Sequence, residues 1–86
     1  MDNIESRVKQ ILTNRLGMPP EQIGNDVQLL ELGLDSLDGV ELAIALEHEF
    51  DITVNDRQIA ELRTVADIIR LAGQGVEKGR AVPSAG

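Results

Sequence analysis

The sequence predicts an all-α fold, a small four-helix antiparallel bundle with three longer helices, one short one and a long ordered loop between the first and second. Three observations carry this. Apolar residues recur at helical spacing in separate stretches, capping residues and breakers fall where those stretches end, and 86 residues suffice for one domain and one core.

The first helix spans about residues 3 to 16, where Ile4, Val8, Ile11 and Leu12 share one stripe. Asp2 and Glu5 suit its positive end and Arg15 its negative end, and Gly17 followed by Pro19 and Pro20 stops it. From Met18 to Leu34 the period breaks around Pro19, Pro20, Gly24, Asn25, Asp26 and Gly33, while Ile23, Val27, Leu29, Leu30, Leu32 and Leu34 supply apolar weight. A loop this long in a compact domain is often functional, and its leucines are expected to pack across the helices.

The second helix is expected from Ser36 to Phe50, capped by Asp35 or Ser36. Leu37, Val40 and Ile44 form one apolar flank and Ala43, Leu46 and Phe50 another, which predicts a wide buried arc and a central position. Asp56 to Leu62 forms the short third helix. Thr64 with Asp67 resembles a capping box opening a fourth, with Val65, Ile68, Ile69 and Leu71 inward. The domain is placed at residues 1–72. Residues 73–86, with four glycines and no period, are expected to form a flexible tail.

Composition excludes several functions. The chain has no cysteine and one histidine, His48, so a zinc site is not expected. Fifteen acidic against eight basic residues leave a net charge of −7, which repels nucleic acid and anionic membranes and favours proteins with basic patches. Phe50 is the only aromatic, so stacking platforms for single strands are missing. With no basic start and no apolar run near ~18 residues, the expectation is a cytoplasmic protein that does not insert in membranes. A monomer is also expected. Calcium loops starting at Asp35 or Asp51 fail, because Leu37 and Asp56 fall where a ligand and a glycine are needed.

The chemistry concentrates in Leu32-Gly33-Leu34-Asp35-Ser36-Leu37-Asp38-Gly39-Val40-Glu41-Leu42, which sets a reachable serine at the entry to the second helix. The positive end of that helix tolerates a phosphodiester. Catalysis by Ser36 itself is not expected, since His48 lies about twelve positions on, some ~18 Å along the helix. On a helical wheel Asp38, Glu41, Ala45, His48 and Glu49 fall on one arc about 100° wide, a candidate partner-binding strip. Glu47 and Glu49 sit at the helix's negative end, where carboxylates cost a few tenths of a kcal/mol each, so stability does not explain them.

This segment resembles the phosphopantetheine attachment motif of acyl carrier proteins, whose core is Asp-Ser-Leu after a Leu-Gly pair. The similarity extends from about Ile4 to Leu71 through Val8, Leu16-Gly17, Leu32-Gly33, Asp35-Ser36-Leu37-Asp38, Val40-Glu41-Leu42, Ala45-Leu46-Glu47, Glu49-Phe50 and Thr64-Val65. The resemblance implies that a phosphopantetheinyl transferase places 4'-phosphopantetheine from coenzyme A on Ser36, and that acyl groups ride on the arm as thioesters. The protein would then be a carrier and not an enzyme, delivering acyl groups to acyl-transferring or ketoacyl synthase type enzymes of fatty acid, lipid or polyketide synthesis. It adds Asp35, Leu37 and Glu47 to the partner-binding residues. It also implies that acyl chains shelter among Val40, Leu42, Ile44, Leu46, Val54, Ile59, Leu62 and Ala66, each of which is first a core candidate.

Gly39 inside the second helix, His48, Asn55 in place of a proline, Arg57 and Arg63 depart from the family's housekeeping pattern and imply a specialised member. Asn55, without proline's fixed φ, is expected to leave the entry to the third helix freer. The alternative reading is an unmodified acidic interaction module that retains the fold, against which the intact Asp35-Ser36-Leu37 argues.

Overall fold

A computed structural model describes residues 3–81, with side chains for residues 3–77. Among them are four α-helices, α1 (Ile4–Leu16), α2 (Ser36–Phe50), α3 (Asp56–Ala60) and α4 (Val65–Ala81), and two 3₁₀ turns, Pro20–Gln22 and Leu29–Leu32, in the long connection between α1 and α2.

Asn3 caps α1 by accepting the Ser6 N–H, and Gly17, at φ 70°, ends it in the left-handed conformation glycine favours. Asp2, expected near the positive end, lies outside the described residues. Val8 and Leu12 are fully buried from the predicted stripe, with Ile4 and Ile11 packed beside them. The core closes on Ile23, Leu29 and Leu34 from the connection, Leu42 and Leu46 from α2, and Val65, Ile68, Leu71 and Ala72 from α4. Leu29 and Leu34 thus join the core as expected and Leu32 packs against it, whereas Leu30 is 75% exposed.

Gln28 pairs with Thr64 in an isolated antiparallel bridge. Beside it the Leu29 N–H donates to the Arg63 carbonyl (2.8 Å), the Val65 N–H to Val27 (3.1 Å) and the Ala66 N–H to Asn25 (3.0 Å). The connection is therefore tied to the start of α4. The box predicted there is present: the Arg63 and Thr64 N–H groups donate to Asp67 Oδ2 at 2.9 and 3.0 Å, and the Asp67 N–H donates to Thr64 Oγ1 at 3.3 Å. These backbone donors hold the Asp67 carboxyl below the usual carboxylate range.

Three expectations are corrected. The flexible tail placed at 73–86 is helical as far as Ala81, and residues 82–86 lie outside the described residues. Its glycines misled because they serve packing: a Cβ on Gly75 would stand 2.9 Å from three atoms of Ile52, and one on Gly73 would meet Ile4 Cδ1 at 3.9 Å. The flank of Leu37, Val40 and Ile44 is exposed, not buried, because α3 is only five residues long and covers little of α2. The entry to α3 is not loose, since Asn55 and Gln58 form a reciprocal capping box with both bonds at 2.9 Å.

Candidate functional site

Gly33 ends the second 3₁₀ turn at φ 84°, a conformation costly for residues with a Cβ, and turns the chain so that the Leu34 N–H reaches the Leu29 carbonyl (3.0 Å). Leu34 is thereby buried and Asp35 emerges extended, as the cap of α2. The Asp38 N–H donates to Asp35 Oδ1 (3.0 Å) and the Asp35 N–H to Asp38 Oδ2 (3.1 Å). The Asp38 backbone donor is the main cause that lowers the Asp35 carboxyl below its ordinary range. Ser36 is left as the first residue of α2, exposed and at the positive end of its dipole.

Ser36 also stands on the lip of a groove of about 540 Å³ between the connection, α2 and α3. Its walls include Leu29, Leu30 and Leu34 from the connection, Val40 and Leu42 from α2, and Ile59 and Leu62 from the α3 segment. Gly39, one turn below Ser36, lines it without a side chain; a Cβ there would meet Ile59 Cγ2 at 3.5 Å. Of the eight residues expected around an acyl chain, Val40, Leu42, Ile59 and Leu62 line this groove. Leu46 is fully buried in the core, Val54 and Ala66 are half-buried away from the groove, and Ile44 is 49% exposed on the outer face of α2. The lining leucines of the connection were missed, although Leu29, Leu30 and Leu34 beside Gly33 were a visible signal.

The acidic residues divide. Glu41 pairs with Arg15 and Glu49 with Arg7, whose Nε and Nη2 donate to Glu49 Oε2 at 3.0 and 2.6 Å while Nη2 also reaches the Glu49 carbonyl at 2.9 Å. The Arg7 guanidinium lies 4.6 Å from the centre of the Phe50 ring. Glu47 Oε2 accepts the Val54 N–H at 2.9 Å. The carboxylates at the negative end of α2, for which the helix dipole gives no reason, thus have partners within the fold, 42 and seven residues away, that no local pattern reveals. Glu41, His48 and Glu49 are exposed on the arc predicted for them, and Asp38 is half-buried in the capping box. Leu37 is 68% exposed and shares its flank of α2 with the exposed Val40 and Ile44, while Leu30 is exposed on the connection.

Residues 6–72 match the family described as phosphopantetheine attachment site. Acyl carrier proteins from three strains of Buchnera aphidicola subsp. Acyrthosiphon pisum are 47% identical over 66 residues, covering 76% of this chain and 82% of each relative. The chain belongs to the acyl carrier protein family. The crystal structure of the acyl carrier protein from Thermotoga maritima superimposes with a TM-score of 0.74 at 27% identity, over 85% of this chain and 86% of that one. As a family member the carrier bears a 4'-phosphopantetheine prosthetic group, and the family works with phosphopantetheinyl transferases and acyl-handling enzymes. The carrier's residues fit such a group: an exposed hydroxyl at a helix N-terminus, beside an apolar groove. Among the described residues no helix is long and apolar enough to cross a membrane.

Proposed function

We propose that this carrier holds acyl groups as thioesters on 4'-phosphopantetheine attached to Ser36 and delivers them, without catalysis of its own, to enzymes of fatty acid, lipid or polyketide synthesis. The observation that carries the assignment is the placement of Ser36, exposed on the first residue of α2 and on the lip of the apolar groove. The prosthetic arm supplies the thiol that a chain without cysteine lacks.

The roles of the chain's own residues follow from their chemistry. Ser36 Oγ bonds to the pantetheine-bearing phosphorus of coenzyme A as the bond from that phosphorus to the bridging pyrophosphate oxygen breaks, and adenosine 3',5'-bisphosphate leaves. The Ser36 proton passes to a base of the transferase, since Asp35 and Asp38 are engaged with each other's backbone in the capping box. Leu37, Val40 and Ile44 give partner enzymes an apolar contact, and Asp35, Asp38, Glu41, His48 and Glu49 set around it a predominantly acidic rim that steers basic surfaces toward Ser36. Glu47 contributes by holding Val54 and through it the approach to α3. Val40, Leu42, Ile59 and Leu62, with the loop leucines, shelter an acyl chain from water at ~0.8 kcal/mol per methylene buried.

Incubation with coenzyme A and a broad-specificity phosphopantetheinyl transferase tests the assignment by intact mass. The wild type is expected to gain one arm and Ser36→Ala none. A wild type that stays unloaded while a control carrier loads fully, or a mutant that still loads, overturns it.

A further inference from the structure

The groove contains one feature that neither attachment nor shelter of an apolar chain uses. Arg63 is the only lysine or arginine among its lining residues. Arg7, Arg15 and Arg70 each hold a carboxylate, whereas Arg63 makes no ion pair among the described residues, in a chain where acids outnumber bases. Its backbone is fixed on both sides, the N–H donating to Asp67 Oδ2 at 2.9 Å and the carbonyl accepting from Leu29 at 2.8 Å. Leu29 in turn accepts from Leu34, two residues before Ser36. Two backbone bonds therefore tie Arg63 to the Ser36 end of the groove, while Asp56 begins α3 at the other end of the segment that carries Arg63.

The helix N-terminus at that end is shared with two acids. A phosphodiester on Ser36 brings a negative charge next to Asp35 and Asp38, and the Asp38 N–H that would otherwise face an anion is engaged by Asp35. A guanidinium, with its planar fork of donors, matches phosphate oxygens in geometry as well as charge.

We propose that Arg63 binds the phosphodiester of the prosthetic arm and lays the arm along the groove, an inference that rests on the carrier reading of Ser36. Arg63 is then a positioning residue that biases the arm toward the apolar walls and away from solvent.

The test uses the full chain in apo and holo forms, with loading verified by intact mass. The Arg63 Nε–Hε resonance is expected to shift on loading, and the ³¹P resonance of the arm to move by more than its linewidth in Arg63→Gln and by less in Arg63→Lys, which keeps the charge but loses the fork. Arg57→Gln, which removes an arginine outside the groove lining, is expected to leave the ³¹P resonance unmoved. High salt should reduce the wild-type difference. Circular dichroism checks that the variants keep their helices. A loaded wild type whose Arg63 resonance is that of the apo protein, with ³¹P unchanged in Arg63→Gln, overturns the proposal and leaves the carrier reading intact. An Arg63 shift that appears only once a carboxyl-ended acyl group is attached assigns Arg63 to the cargo and also overturns it. A chain that accepts no arm overturns both.

Discussion

Glu47 Oε2 accepts the Val54 N–H across the turn that follows α2, where Asp51 takes the left-handed conformation at φ 56°. A half-buried amide held by a charged acceptor is worth about 1.5–3 kcal/mol. Glu47→Ala is expected to lower stability by about 1–2 kcal/mol in urea denaturation, and Glu47→Gln, which keeps an acceptor oxygen, by less. Unchanged stability in the alanine variant would return Glu47 to the partner-facing rim. Asp67 makes a complementary case, because its carboxyl is held below 3.8 by the N–H groups of Thr64 and Arg63. A depressed carboxylate stabilises the fold above its unfolded pKa and loses that contribution as pH falls through the folded value. Asp67→Asn should therefore be less stable than wild type at neutral pH, with the gap closing below pH 3.8, as thermal melts across that window would show.

At the scale of the elements, α4 sets two glycines against each other. Ala in place of Gly73 adds a Cβ at ordinary contact distance from Ile4 and removes the glycine penalty, so it should stabilise by up to ~1 kcal/mol. Ala at Gly75 gains the same propensity but forces Ile52 away from 2.9 Å contacts and should be net destabilising. Melting temperatures that move the same way in both variants would refute the packing role of Gly75. This pair also shows where sequence reading stops. The end of α1 and the start of α2 were legible because period, cap and breaker coincide at Gly17 and Asp35, whereas the Asn3 and Asp51 caps at their other ends carried no signal that was read. Gly73 and Gly75 read as a break because propensity sees a missing side chain and not the Ile4 and Ile52 side chains that fill its place. The Asn55 to Gln58 box was legible in principle, since its spacing is that of a capping box, but the contrast with proline obscured it. Ser36 and half of the groove could be read from local order. The pairs Arg7 to Glu49 and Arg15 to Glu41 could not, because only the antiparallel return of the chain brings them together.

Across the whole molecule, the acidic surface and the groove bear on a single test of cargo. An acyl chain bound only by the folded state shifts the folding equilibrium toward it, so acylated protein should melt above the holo form, and by more for medium than for short chains. Equal melting temperatures would mean that the chain stays in water. The ties between Val27, Leu29, Arg63 and Val65 give that event a mechanical form. They join the chain just before residue 29 to the chain just after residue 63, so the segment that carries α2, α3 and the groove is drawn shut at its two ends like a bag by its drawstring. With those two ends held, an acyl chain entering the groove is expected to shift α3 and leave the clasp closed. Hydrogen exchange should register the difference: the amides of Leu29, Val65 and Ala66 should exchange slowly whatever the cargo, while those of Ile59, Glu61 and Leu62 should change their rates as the chain lengthens.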